Sequence, residues 1–83
     1  MRILYFAWLK EKIGLAEEEV SPPSSVATVA DLLSWLAERS PGHALALSKN
    51  DLLRCAINQS YARFDQPVNA GDEVAFFPPV TGG

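Results

Sequence analysis

The chain has 83 residues, 48% of them hydrophobic and 20% charged, enough apolar material for one small core and no room for a second domain. Ten acidic against seven basic residues leave a net charge of −3, which excludes a nucleic-acid backbone as a natural partner, and one cysteine with one histidine excludes an internal disulfide and a zinc ligand set. No apolar run is long enough to span a bilayer and the first residues lack the pattern of a signal peptide, so no membrane partner is expected and the expected location is cytoplasmic.

Arg2 to Leu9 is rich in aromatic and branched side chains and reads as a strand, bounded by Lys10-Glu11-Lys12 and Gly14. A weaker strand over Ala16 to Ser21 ends at Pro22-Pro23, and a loop through Gly14 makes the two a hairpin. Its Glu17-Glu18-Glu19 run reads as a solvated strand edge or as a charge that steers a basic partner. Thr28 with Asp31 three residues later forms a short-armed capping box, and Val29, Leu32, Leu33, Leu36 and Ala37 then place one apolar stripe on a helix that Ser40-Pro41-Gly42 stops. His43 to Asn50 reads as irregular, with His43 a loop residue. Leu52 to Ile57 is a third strand, in which Cys55 reads as a small core residue rather than a nucleophile. Asn58-Gln59-Ser60 turns into a short strand over Tyr61 to Phe64, and the cluster Pro67 to Asp72 launches the last strand, Glu73 to Phe77.

One helix and four or five strands require the helix to cover one face of a mixed sheet, an α+β roll in which the first and last strands can lie side by side. Along the first strand, Arg2 marks the outward face, which it shares with Leu4, Phe6 and Trp8, while Ile3, Tyr5, Ala7 and Leu9 turn toward the helix. In the last strand Glu73, Ala75 and Phe77 point out and Val74 and Phe76 point in. Phe6, Trp8 and Phe77 are therefore candidate anchors for a partner, each able to bury about 150–250 Å². The competing reading is that the chain's own Ile13 and Tyr61 cover them.

The chain closes Phe76-Phe77-Pro78-Pro79-Val80-Thr81-Gly82-Gly83. The proline pair ends strand pairing and stiffens the stem, and glycines without Cβ atoms can thread a narrow channel and leave the carboxylate open to attack. The five residues from Pro79 to Gly83 reach roughly 17 Å when extended. This divides the chain into a folded domain over residues 1–78 and an extended tail over 79–83, a flexible tail whose last carboxylate is the candidate reacting group.

The block from Ala70 to Gly83, with Ile3-Leu4-Tyr5-Phe6-Ala7 near the start and Ala56-Ile57-Asn58-Gln59 in the middle, resembles the MoaD/ThiS family of ubiquitin-like sulfur carriers, and most closely the small subunit of molybdopterin synthase. The resemblance implies a β-grasp fold, a mixed four- to five-stranded sheet packed on one main helix. It implies that Gly83 is adenylated, with ATP used in trans and no cofactor stably bound, and is then converted to a thiocarboxylate, 1-thioglycine. The sulfur would pass to cyclic pyranopterin monophosphate in molybdenum cofactor biosynthesis. Val80, Thr81 and Gly82 would line the inserted tail, and Phe6, Tyr61, Phe77 and Lys10 match the family's docking positions. The implied partners are a large subunit of the MoaE type, which would carry the catalytic residues in a heterotetramer, an activating adenylyltransferase of the MoeB type, and a sulfur donor such as a cysteine desulfurase or a rhodanese-like protein. A carrier for thiamine thiazole or tRNA thiolation, a ubiquitin-like protein modifier and a plain interaction module stand as alternatives.

Overall fold

A computed structural model describes residues 1–48 and 50–79. Five strands, β1 (Arg2–Tyr5), β2 (Glu17–Glu19), β3 (Arg54–Ile57), β4 (Ser60–Ala62) and β5 (Glu73–Phe77), form one sheet in the order β2-β1-β5-β3-β4. β1 and β5 pair in parallel, Arg2 opposite Glu73 and Tyr5 opposite Phe76, and the other neighbours are antiparallel. The first and last strands lie side by side near the centre of the sheet, the placement that an α+β roll allows.

The main helix, α2 (Val29–Ala37), covers one face of this sheet. Its start is dictated locally. Thr28 Oγ1 accepts from the Asp31 amide at 3.2 Å, and the Asp31 carboxylate accepts from the amides of Ala27 and Thr28. These backbone donors hold the Asp31 carboxyl below its ordinary value. Val29, Leu32, Leu33 and Leu36 are buried against Ile3, Tyr5, Cys55, Val74 and Phe76 of the sheet. One sheet crossed by a main helix, with parallel first and last strands at its centre, is the β-grasp, ubiquitin-like arrangement.

Two short helices depart from the expected pattern. The first strand stops at Tyr5 instead of running to Leu9, and α1 (Trp8–Ile13) follows. Aromatic and branched composition does not distinguish a strand from a short helix over so few residues. The break is made at Ala7, which takes φ 57° and ψ −135°, a region costly for a residue with a Cβ. Trp8 therefore leaves the outward strand face and packs partly against the core, and Leu9 is buried from a helix. The second departure is α3 (Pro41–Leu47), where an irregular stretch was expected. Ser40-Pro41 does end α2, but it also opens the next helix. Ser40 Oγ accepts from the His43 amide at 3.1 Å, and proline at the first helical position gives up a donor that would be unpaired there anyway. His43 is consequently a buried helix residue and not a loop residue. α1 and α3 pack so closely that a Cβ on Gly42 would run into the carbonyl oxygen of Lys12.

The remaining strands hold at their centres and shorten at their ends. β2 spans only the three glutamates of the expected Ala16 to Ser21, β3 begins at Arg54 after a 3-10 turn (Asn50–Leu52), and β4 takes in Ser60 from the expected turn, where it pairs with Ile57, and ends at Ala62 instead of Phe64.

Candidate docking face and the root of the tail

The open face of the sheet carries the residues that α2 does not cover. Cross-strand partners share a face, so Leu4 with Ala75, Arg54 with Phe77, and Ala56 with both Ala75 and Tyr61 build one continuous surface across β1, β5, β3 and β4. Its apolar end lies where β5 runs out toward the tail. Phe6 donates its amide to the Phe76 carbonyl at 3.1 Å, and its side chain is 49% exposed beside the reversal at Ala7. Tyr61 is 81% exposed, its ring centroid 5.8 Å from that of Phe77. The competing reading holds in part: Phe77 is half-buried with the Tyr61 ring against it, while Ile13 packs on the core and leaves Phe6 exposed.

Of the four expected docking residues, three thus lie on one face at the root of the tail, and the alternation argument is right for Phe6 and Phe77 and wrong for Trp8. Lys10 belongs to another element, α1, where it is exposed and forms no ion pair among the described residues. Pro78 and Pro79 leave the sheet half-buried. Val80, Thr81, Gly82 and Gly83, the expected tail and reacting carboxylate, lie outside the described residues.

Two features of this face escape a first reading of the sequence. Asn58 and Gln59 take positive φ, 50° and 71°, in the two-residue turn between β3 and β4. From this turn the Asn58 side chain donates to Asp72 at 3.0 Å and accepts from the Glu73 amide at 3.0 Å, tying the hairpin to the start of β5. The other is Arg54, which period-two alternation from the buried Cys55 places outward beside Phe77. Cys55 itself is buried, its thiol pushed up by burial and 3.3 Å from the Ala62 carbonyl, which fits a core residue and not a nucleophile.

Beneath the sheet, on the side of α2, a second polar cluster forms from four segments. Glu18 Oε2 accepts from the Tyr5 hydroxyl at 2.7 Å and lies 2.7 Å from His43 Nε2; Oε1 lies 3.3 Å from Arg39; and His43 Nδ1 lies 2.7 Å from Ser40 Oγ. Burial alone would raise the Glu18 carboxyl, but hydrogen bonds from His43 and Tyr5 and the charge of Arg39 hold it below its ordinary value. Burial pushes the Tyr5 hydroxyl far up, and the Glu18 carboxylate adds to that. Of the three glutamates, only the outer pair, Glu17 and Glu19, makes a solvated edge.

Among known proteins, the chain is 45% identical over 83 residues to the molybdopterin synthase sulfur carrier subunit of Escherichia coli K12, covering 100% of this chain and 99% of that one. It is 41% identical over 83 residues to the protein of the same name from Haemophilus influenzae, covering 100% and 99%. The crystal structure of SAMP1 from Haloferax volcanii superposes with a TM-score of 0.77 at 33% identity, covering 100% of this chain and 98% of that one. The ThiS family pattern matches residues 3–83, and together with the β-grasp sheet and the aromatic face at the root of the tail this makes the chain a member of the ThiS family, within the MoaD/ThiS group.

Proposed function

We propose that the chain is the sulfur-carrier small subunit of a molybdopterin synthase. The observation that carries this reading is the full-length likeness to two proteins of that name, in a fold that sets an exposed aromatic face beside the stem of the Gly-Gly tail. In this reading the Gly83 carboxylate attacks the α-phosphate of ATP on an activating enzyme and releases pyrophosphate. Sulfur at the sulfide level, supplied by a donor protein, then displaces AMP and leaves a thiocarboxylate. A carboxylate is a poor acyl donor and AMP a good leaving group, so activation must precede sulfur transfer. The thiocarboxylate sulfur is a soft nucleophile, suited to attack on a pterin precursor, cyclic pyranopterin monophosphate.

This chain would contribute the nucleophile and its delivery. Val80, Thr81 and Gly82 pass through a channel of the large subunit while Phe6, Tyr61 and Phe77 seat on its surface, with Lys10 as a further contact. Acid, base and substrate-binding residues would come from the large subunit, since among the described residues the docking face holds aromatic rings and Arg54 and no converging acid–base pair. The activating enzyme would use the same face, so the two complexes would exclude each other. No cofactor would be stably bound, and the setting would be cytoplasmic.

The test is the intact mass of the chain before and after incubation with ATP, an activating enzyme of the MoeB type and a sulfur donor. A gain equal to exchange of one oxygen for sulfur, confined to the C-terminal peptide and absent when Gly83 is deleted, is the expected result. No gain with a demonstrably active enzyme would overturn the reading. The likeness to a protein called a small archaeal modifier favours a second reading, conjugation through Gly83 to protein amines, which predicts covalent adducts in extract that vanish with the same deletion.

A further inference from the structure

Three arginines on the described surface are committed to carboxylates. Arg2 pairs with Glu17 and Glu73, Arg39 with Glu18, and Arg63 with Asp65. Arg54 pairs with none among the described residues. Its Nη1 donates to the Leu53 carbonyl at 2.8 Å, which orients the guanidinium and leaves most of its donors uncommitted. It stands opposite Phe77 in the β3–β5 register and lines, with Cys55, Tyr61, Ala62 and Phe77, a shallow cavity of about 260 Å³. Arg54, Tyr61 and Phe77 share the open face there, whereas Cys55 and its cross-strand partner Ala62 belong to the opposite, core-facing set.

The charges on the open face are also segregated. Glu17, Glu19 and Glu73 lie toward β2 and the start of β5, around Arg2, while the end bearing Phe77 and Tyr61 carries Arg54 and no acid on β3, β4 or the end of β5. A partner that buries the aromatic rings must also cover Arg54, and a guanidinium taken out of water without a counter-charge costs far more than one paired bidentately with a carboxylate.

We infer that the partner surface seated on Phe6, Tyr61 and Phe77 presents a carboxylate to Arg54, which makes Arg54 a specificity-determining contact at the mouth of the tail channel. The occupant is the large subunit of the synthase, so the inference rests on the proposed function. The apolar rings supply most of the affinity, and the Arg54 pair selects among partners that offer similar apolar sockets, because a neutral or basic group at that point leaves the guanidinium desolvated and unpaired.

The experiment measures the affinity of the full-length chain for the large subunit across a salt series, with Arg54→Met, Arg54→Glu and Arg54→Lys, and with Arg63→Ser as a control whose arginine is already paired with Asp65. The expected result is about tenfold weaker binding for Arg54→Met with a shallower salt dependence, about a hundredfold for Arg54→Glu, partial recovery with Arg54→Lys, and no change for Arg63→Ser. Arg54 is exposed and its one hydrogen bond is to a neighbouring carbonyl, so all variants should fold, which circular dichroism checks. If the wild-type chain binds but the Arg54 variants match it at every salt concentration, the inference falls and the proposed function stands. If the variants alter only self-association of the small chain, the face belongs to a second copy and the inference likewise falls. A wild-type chain that does not bind the large subunit at all overturns the proposed function and this inference with it.

Discussion

Glu18 shows how much one residue's environment decides. Its neighbours Glu17 and Glu19 face solvent, while its own carboxylate is met by a phenol, an imidazole and a guanidinium from three other segments. Because its folded value is depressed, an unfolded chain takes up the proton first as pH falls, so its contribution to stability is complete above the ordinary carboxyl range, about 4.3, and is lost as pH falls through the folded value. Thermal unfolding followed from pH 7 to pH 3 should therefore show a steep acid limb in the wild type and a shallower one in Glu18→Gln. Coincident limbs would mean that the carboxylate contributes nothing to folding. None of this is legible in a linear reading, because the partners are far apart in sequence and a run of three glutamates looks uniform. Cys55, by contrast, was readable from its apolar neighbours alone.

Among the elements, α2 and β5 were the most legible. A capping box followed by an apolar stripe of helical period is a local signal, and every part of it is present. Thr28→Ala should cost about 1 kcal/mol, measured by denaturant unfolding. The strand from Glu73 to Phe77 likewise follows from its turn cluster and from strict alternation. α1 and α3 were not legible because each is a helix of one or two turns held by packing and not by its own propensity. Their contact depends on Gly42, whose missing Cβ lets the first turn of α3 lie against the last turn of α1. Gly42→Ala should lower stability by about 1–3 kcal/mol, since the obstacle is backbone and cannot swing aside. A variant as stable as the parent would show that the two helices have room to separate. In hindsight, Ser40-Pro41 carried both meanings, the end of one helix and the N-cap with N1 of the next.

For the whole molecule, the buried face of the sheet holds the fold and the open face is available to a partner. Tyr61 belongs to the second group, so, on the proposed function, Tyr61→Ala should leave the unfolding free energy unchanged to within about 0.5 kcal/mol, yet weaken binding to the large subunit by more than about tenfold. Equal losses in both measurements would make Tyr61 a structural residue. The candidate docking face was partly legible: alternation found Phe6 and Phe77 and misplaced Trp8, because nothing in the run from Phe6 to Leu9 announces the reversal at Ala7.

The parallel seam between β1 and β5 also sets a timetable. Arg2 is synthesised well before Glu73, yet the two are partners across the middle of the sheet. Until β5 emerges, β1 has no neighbour on that side and β3 lacks the strand between them, so the growing chain cannot close its core piecemeal. Folding must wait for the residues that immediately precede the tail. An interrupted chain would then lack the central strand on which the open face is built. The order of strands thereby ties the open face to completion of the sheet: a chain halted before β5 presents neither Phe77 nor the segment that leads out of the sheet.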